Sequence, residues 1–257
     1  MENEYDITCS RCNKEFDQRT KSVLCPKCGT SALLKTFYTG PVNLDTRFSN
    51  FYMYRNFLPV RSTFKQLSSL PGCYKSRNLA KDLGLKNLWI LFNGYWPEKG
   101  ARIESTSFKE FEAIGLLSRF AEQSDKMPVI SSAGNTALST LYISRILKLP
   151  ALVVAPEFAC KQFKLPFPSN KTIKTGENGA FLISLKNAEY KDCIDFAFRL
   201  CRRLRTAAPT GGVFNVARRD FIAIPMIHSI FTMQQIPDHY FQAVGSGSGA
   251  IAAWEAA

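Results

Sequence analysis

The sequence is poor in histidine, with only His228 and His239 among 257 residues. Neither lies in a motif that would make it a general base, so both read as structural. No apolar run is long enough to span a membrane. The amino terminus, Met1-Glu-Asn-Glu-Tyr-Asp6, has no apolar stretch of the secretory kind, and the expected location is cytoplasmic. Internal repeats and low-complexity tracts are absent, which excludes solenoids and disordered tails. A dinucleotide fingerprint is missing too: no Gly-x-Gly-x-x-Gly run occurs. Acidic residues are few, 21 against 33 Lys and Arg, for a net charge of +12. The excess is spread along the chain. Its one dense patch is Arg199, Arg202, Arg203 and Arg205, near the end of an expected helix, where cations suit the dipole. That patch reads as a solvated face; phosphate-bearing ligands would also benefit from a positive field, and no nucleic-acid or membrane partner is expected.

What the chain does have is enough apolar content, 46%, to bury a substantial core. It also has eight cysteines. Cys73, Cys160, Cys193 and Cys201 are scattered. Cys9-x2-Cys12 and Cys25-x2-Cys28 form paired knuckles that can close a tetrahedron of thiolates around zinc. Residues 1–36 therefore read as a zinc ribbon whose folding energy comes from the metal; the rival is a ribbon held by packing alone. With six basic and five acidic side chains this segment is nearly neutral, which argues against nucleic-acid binding.

Residues 37–257 read as an α/β body. The stretch Phe37–Pro71 is aromatic and irregular, and reads as a connector packed on the main body. A short helix suits Asn78–Gly84 and a buried strand suits Asn87–Asn93. Strands at Val129–Ser131, Leu152–Ala155, Phe181–Leu185 and Tyr240–Val244 alternate with helices. The helices are expected at Ser107 onward, Thr136–Lys148, Glu189–Arg205 and Asp220–Gln235. Such alternation predicts a parallel sheet flanked by helices.

Three segments carry chemistry. Ser105-Thr-Ser-Phe-Lys109 places a lysine at a helix start, with Ser107 and Glu110 in capping-box relation. The positive helix end disfavours an ammonium, which suits an amine destined for a Schiff base. Alone, Lys109 would read as a surface lysine. Ser131-Ser132-Ala133-Gly134-Asn135-Thr136 runs from a strand into a helix. Its small residues leave N–H groups free for a carboxylate, and the Asn135 side chain can donate to a phenolate oxygen or merely cap the helix. Gly245-Ser246-Gly247-Ser248-Gly249 opens a last helix. Its glycines let backbone amides wrap a monophosphate.

In this order and spacing the segments resemble the threonine synthase and cysteine synthase group, fold type II pyridoxal-phosphate enzymes. Longer stretches resemble its cysteate synthase branch. They are Leu79–Leu88, Phe92-Asn-Gly-Tyr-Trp-Pro-Glu-Lys-Gly-Ala101, Asn215-Val-Ala-Arg-Arg-Asp220 and Pro237–Gly247. The resemblance implies β-replacement on O-phospho-L-serine by sulfite, giving L-cysteate and phosphate in coenzyme M biosynthesis. It implies small-molecule substrates and a homo-oligomer. Lys109 would hold pyridoxal 5'-phosphate, Asn135 would meet its ring oxygen, and Gly245–Gly249 its phosphate. Ser132, Ala133, Gly134, Asn135 and Thr136 would take the substrate carboxylate.

Two features depart from the group. Threonine synthases carry Asp-Arg-Gly after the lysine; here Glu110-Phe-Glu112 follows, which suits the cysteate branch. The group's carboxy-terminal part, with the hydroxyl that faces the pyridine nitrogen, is expected to lie beyond Ala257, so the chain reads as truncated. Threonine synthesis from O-phosphohomoserine is the alternative, and an inactive fragment the third reading.

Overall fold

The computed structural model describes residues 5–40, 42–164, 176 and 179–257. Most of the acidic amino terminus, Met1–Glu4, lies outside them. Three antiparallel strands begin the chain: β1 (Tyr5–Cys9), β2 (Glu15–Phe16) and β3 (Leu34–Tyr38). β1 is central, pairing Tyr5 with Tyr38 and Cys9 with Leu34.

The connector is more than a link. Phe51, Tyr52 and Tyr54, in a 3-10 turn over Phe51–Phe57, are fully buried. They join Phe111, Ile114 and Phe221 in the main core. Next come β4 (Gly72–Lys75), α1 (Asn78–Asp82) and β5 (Trp89–Phe92), with β4 and β5 antiparallel. A small hairpin follows, β6 (Tyr95–Trp96) and β7 (Ala101–Arg102).

The parallel unit comprises α2 (Lys109–Gln123), β8 (Met127–Ser131), α3 (Asn135–Leu147), β9 (Ala151–Pro156), α4 (Glu157–Cys160), β10 (Ala180–Leu185), α5 (Tyr190–Arg203) and β11 (Ala207–Pro209). Its sheet runs β10-β9-β8-β11, all parallel. All six residues of β9 are buried, as expected of a central strand covered on both faces. Alternation divides them. Val153 and Ala155 pack with Leu138 and Leu141 of α3, whereas Leu152 and Val154 pack with Cys193 and Ala197 of α5.

The chain closes with α6 (Val216–Ile222), α7 (Ile224–Met233) and α8 (Ser248–Ala256). α2 and α6 pack so closely that a Cβ at Gly115 would lie 2.5 Å from the Phe221 ring and 2.6 Å from the Ala217 carbonyl oxygen. Only glycine fits there.

Three expectations need correction. The helix over Asp220–Gln235 starts earlier, capped by the Asn215 side chain, and is broken at Ala223. Pro225 has no N–H to continue the ladder and instead occupies the first turn of α7, where none is required. Tyr240–Val244 is not a strand: no neighbour pairs with it among the described residues, and Phe241 is 90% exposed. The capping box at Ser107 does not form. Glu110 turns inward to the Ser69 hydroxyl and to the Ser105 N–H at 2.7 Å, while Ser107 Oγ accepts weakly from the Lys109 N–H at 3.3 Å.

Candidate active site

Lys109 is the first residue of α2 and half-buried. The approach to it is tightly built. Thr106 takes a left-handed φ of 53°, which lets Ser105 and Ser107 turn inward on either side. Ser105 Oγ bonds Ser139 Oγ of α3 at 2.9 Å. Glu110 anchors the same loop from below, and burial pushes its carboxyl up to about 7.

One turn on, Glu112 is the hub of the site. Its carboxylate is 2% exposed and lies 2.6 Å from Lys109 Nζ. Arg218 of α6 donates to the same group, through Nε at 2.7 Å and through a second, shorter contact from its guanidinium. Thr136 Oγ1 of α3 adds a longer contact at 3.4 Å. Burial alone would raise the Glu112 pKa, but the Arg218 and Lys109 charges outweigh it and hold the carboxyl below its ordinary value. Arg218 is itself steadied by Thr210 Oγ1 at 3.0 Å. In place of a lysine merely destabilised by the helix dipole, the structure has one paired to a buried carboxylate.

The Ser131–Thr136 loop opens α3 beside this hub. Gly134 is the N-cap rather than Asn135, which is exposed as the first helical residue. Ser132 Oγ accepts from the N–H groups of Gly134 (3.3 Å) and Ala137 (3.2 Å). Ala133 packs against the α3–β9 cluster.

The glycine loop reaches Lys109 by another route. Gly247 caps α8 with φ 81°, and Ser246 and Ser248 hydroxyls lie 3.2 Å apart. A Cβ on Gly249 would meet the Phe108 ring at 3.4 Å, and Lys109 Nζ sits 5.1 Å from the centre of that same ring. Phe108 is thus a shared wall between the amine and the glycine loop. Among the described residues, chain neighbours apart, no atom comes within 4 Å of a Cβ built on Gly245 or Gly247, so this side of the loop is open. A cavity of about 590 Å³ adjoins Phe108, bordered by Asn93, His239, Phe241 and Gln242. A larger apolar cleft, about 1000 Å³, lies elsewhere, among β3, α7 and the end of α8.

Among the described residues neither histidine forms a hydrogen bond or ion pair with Lys109, Glu112 or Arg218. His228 Nδ1 pairs with the Tyr54 hydroxyl at 2.6 Å, and burial pulls its pKa down to about 4. His239 is exposed.

At the other end, the sulfurs of Cys9, Cys12, Cys25 and Cys28 all lie within 4.8 Å of one another. Cys12 and Cys25 are 3.7 Å apart. Zn–S bonds of about 2.3 Å in a tetrahedron put sulfurs about 3.8 Å apart, so the donor set fits zinc. Backbone N–H groups of Arg11 and Cys12 pull the Cys9 thiol down to about 6, whereas burial pushes the Cys28 thiol up to about 12, so the fit to zinc rests on the sulfur geometry.

A class follows from this geometry and from comparison with known sequences. The family described as "Pyridoxal-phosphate dependent enzyme" matches residues 72–257, and the chain belongs to it. Within that class it is similar to cysteate synthases. That of Methanospirillum hungatei is 38% identical over 252 residues, 98% of this chain and 57% of the relative. That of Methanosarcina mazei is 36% identical over 253 residues, 98% of this chain and 58% of the relative. The chain therefore spans a little over half the length of these curated relatives. In fold it matches holo diaminopropionate ammonia lyase from Escherichia coli with a TM-score of 0.54, over 98% of this chain and 61% of that one, at 12% identity. Among the described residues no helix is long and apolar enough to cross a membrane.

Glu112, Arg218 and Phe108 escaped the sequence reading. A Lys-x-x-Glu spacing signals a pair on one helix face, and Arg218 lies in the Asn215–Asp220 stretch already singled out by resemblance.

Proposed function

We propose that the chain carries the cofactor-anchoring part of an enzyme that converts O-phospho-L-serine and sulfite to L-cysteate and phosphate. One observation carries the reading: the three segments meet around one helix start, through Glu112 to Thr136 and through Phe108 to Gly249. The similarity to cysteate synthases supports the substrate pair.

The residues present fit pyridoxal phosphate. Lys109 offers a primary amine for the aldehyde. The open start of α8, from Gly245 through Ser246, Gly247 and Ser248 to Gly249, offers backbone N–H groups for the phosphate. Asn135, exposed at the α3 start, would donate to the ring oxygen. Ser132, Ala133, Gly134 and Thr136 would receive the substrate carboxylate at the same helix end. When bound, the cofactor supplies an electron sink for the substrate α-carbon. The protein's own part would be to present the Lys109 amine, to accept the substrate α-proton at its Nζ when that amine is free, and to hold both anionic ends.

The test, on the full-length enzyme of which this chain is a part, is phosphate release from O-phospho-L-serine or O-phosphohomoserine with added pyridoxal phosphate, with and without sulfite. Sulfite-dependent release, with cysteate formed, is expected. Release only from O-phosphohomoserine would move the activity to threonine synthesis. Release from neither would sink both substrate readings.

A further inference from the structure

Glu112 has more positive charge around it than a simple lysine pair requires. A buried carboxylate with one cation loses its only partner if that cation leaves, which is costly. Glu112 has two: Lys109 at 2.6 Å and Arg218 at 2.7 Å. Arg218 is held from behind by Thr210 and rises from a helix whose first turn is capped by Asn215. Among the described residues no such brace stands behind Lys109: it is the first residue of α2, on a flexible side chain that is 17% exposed against 12% for Arg218.

We infer that Glu112 is a positioning residue for Lys109, and that Arg218 is the permanent counter-charge that lets the lysine leave Glu112 without stranding a buried carboxylate. The inference rests on the reading of Lys109 as the cofactor lysine, and names residues which that reading does not include. With Lys109 docked, the cluster carries one net positive charge. After the Lys109 ammonium gives its proton to solvent water and swings away, Glu112 and Arg218 remain as a neutral pair. The carboxylate also gives the amine a fixed place to return to. Two cations competing for one carboxylate hold the lysine more loosely than one cation alone.

Competition has a signature that damage to the fold does not share. The full chain without cofactor is exposed briefly to trace acetic anhydride at near-neutral pH. Acylation of Lys109 is then measured by mass spectrometry against exposed Lys86. Only the unprotonated, undocked amine reacts. Glu112→Gln should raise Lys109 labelling several-fold, with Glu112→Asp between it and the native chain. Arg218→Gln should lower labelling, because Glu112 then belongs to the lysine alone. Thr210→Val removes only the brace behind Arg218 and should shift labelling in the same direction, more weakly; it serves if Arg218→Gln does not fold. Equal labelling in all variants, or an increase in both Glu112→Gln and the Arg218 or Thr210 variants, would overturn the inference. A parallel sample with pyridoxal phosphate tests the underlying reading separately. Loss of Lys109 labelling supports it, and unchanged labelling refutes it whatever the variants do.

Discussion

Lys109 and Glu112 are three positions apart on α2, so their side chains meet on one face. Arg218 arrives from a segment more than a hundred residues away. The consequences of losing each differ. Lys109→Ala should leave the fold intact and abolish the visible absorption that develops when pyridoxal phosphate is added to the native chain. Asp220 shows a second buried carboxyl at work. Thr36 Oγ1 and Tyr38 OH each donate to it at 2.6 Å, tying β3 to α6. Tyr38→Phe removes one donor and leaves Asp220 short of a partner. We expect a loss of about 1–3 kcal/mol in denaturant unfolding; no measurable loss would mean that Thr36 alone satisfies the group.

At the scale of elements, the closeness of α2 and α6 fixes the distance between Glu112 and Arg218. Gly115→Ala would push the helices apart, at a cost of about 1–3 kcal/mol by overpacking. Cofactor uptake should weaken with it, which a titration of absorbance would show. Much of this architecture was legible in the sequence. The apolar runs of β8, β9 and β10, and the periodic helices α2, α3 and α5, declare themselves locally. So do the paired cysteines and the two strand-to-helix or glycine-rich loops. What was hidden depends on distant contacts. The 3-10 turn at Phe51–Phe57 carries aromatic residues without period, and only packing against Phe111 and Phe221 makes it core. β11 is three residues long and exists through its pairing with β8. Tyr240–Val244 has strand-like residues, but a strand also needs a ladder, and none reaches it here. The Glu112 hub was hidden for the same reason, because half of its charge comes from α6.

For the molecule as a whole, the ribbon is a structural member. Arg119 of α2, nearly buried, donates to the carbonyls of Gln18 (3.0 Å), Thr20 (3.3 Å) and Pro59 (2.9 Å). A Cβ on Gly211 would clash with Val23 at 2.8 Å. Metal analysis should find about one zinc per chain. Stripping it with a chelator should lower the thermal midpoint of the entire chain in one transition, since ribbon and body share these contacts. An early, separate ribbon transition would refute that coupling. Acidity should act in the other direction at first. Burial raises Asp220 to about 6 and Glu110 to about 7, so both bind protons more tightly folded than unfolded. Their contribution is complete below the unfolded carboxyl range and is lost as pH rises through those values. The thermal midpoint should therefore climb from about pH 7.5 to about pH 5. Glu110→Gln, neutral throughout, should flatten that climb. Below about pH 4 the trend should reverse, because Glu112 and Asp45 are held below their ordinary values and then lose their ion pairs.

Three successive residues of α6 look in three directions. Arg218 faces Glu112; Arg219 donates to Leu34 and Val213 carbonyls and to Glu255 of α8; Asp220 receives Thr36 and Tyr38. A helix turns by about 100° per residue, so these assignments are set by rotational phase alone. Adding one residue in the Gly211–Asn215 lead-in would hand each post to the side chain that precedes it. A guanidinium would face the β3 hydroxyls and the carboxylate would be swung off them. Such an insertion changes no charge and almost no volume, yet it would unseat the amine's counter-ion, the ribbon and the last helix together. The short segment works as the molecule's keyed shaft, intolerant of being turned.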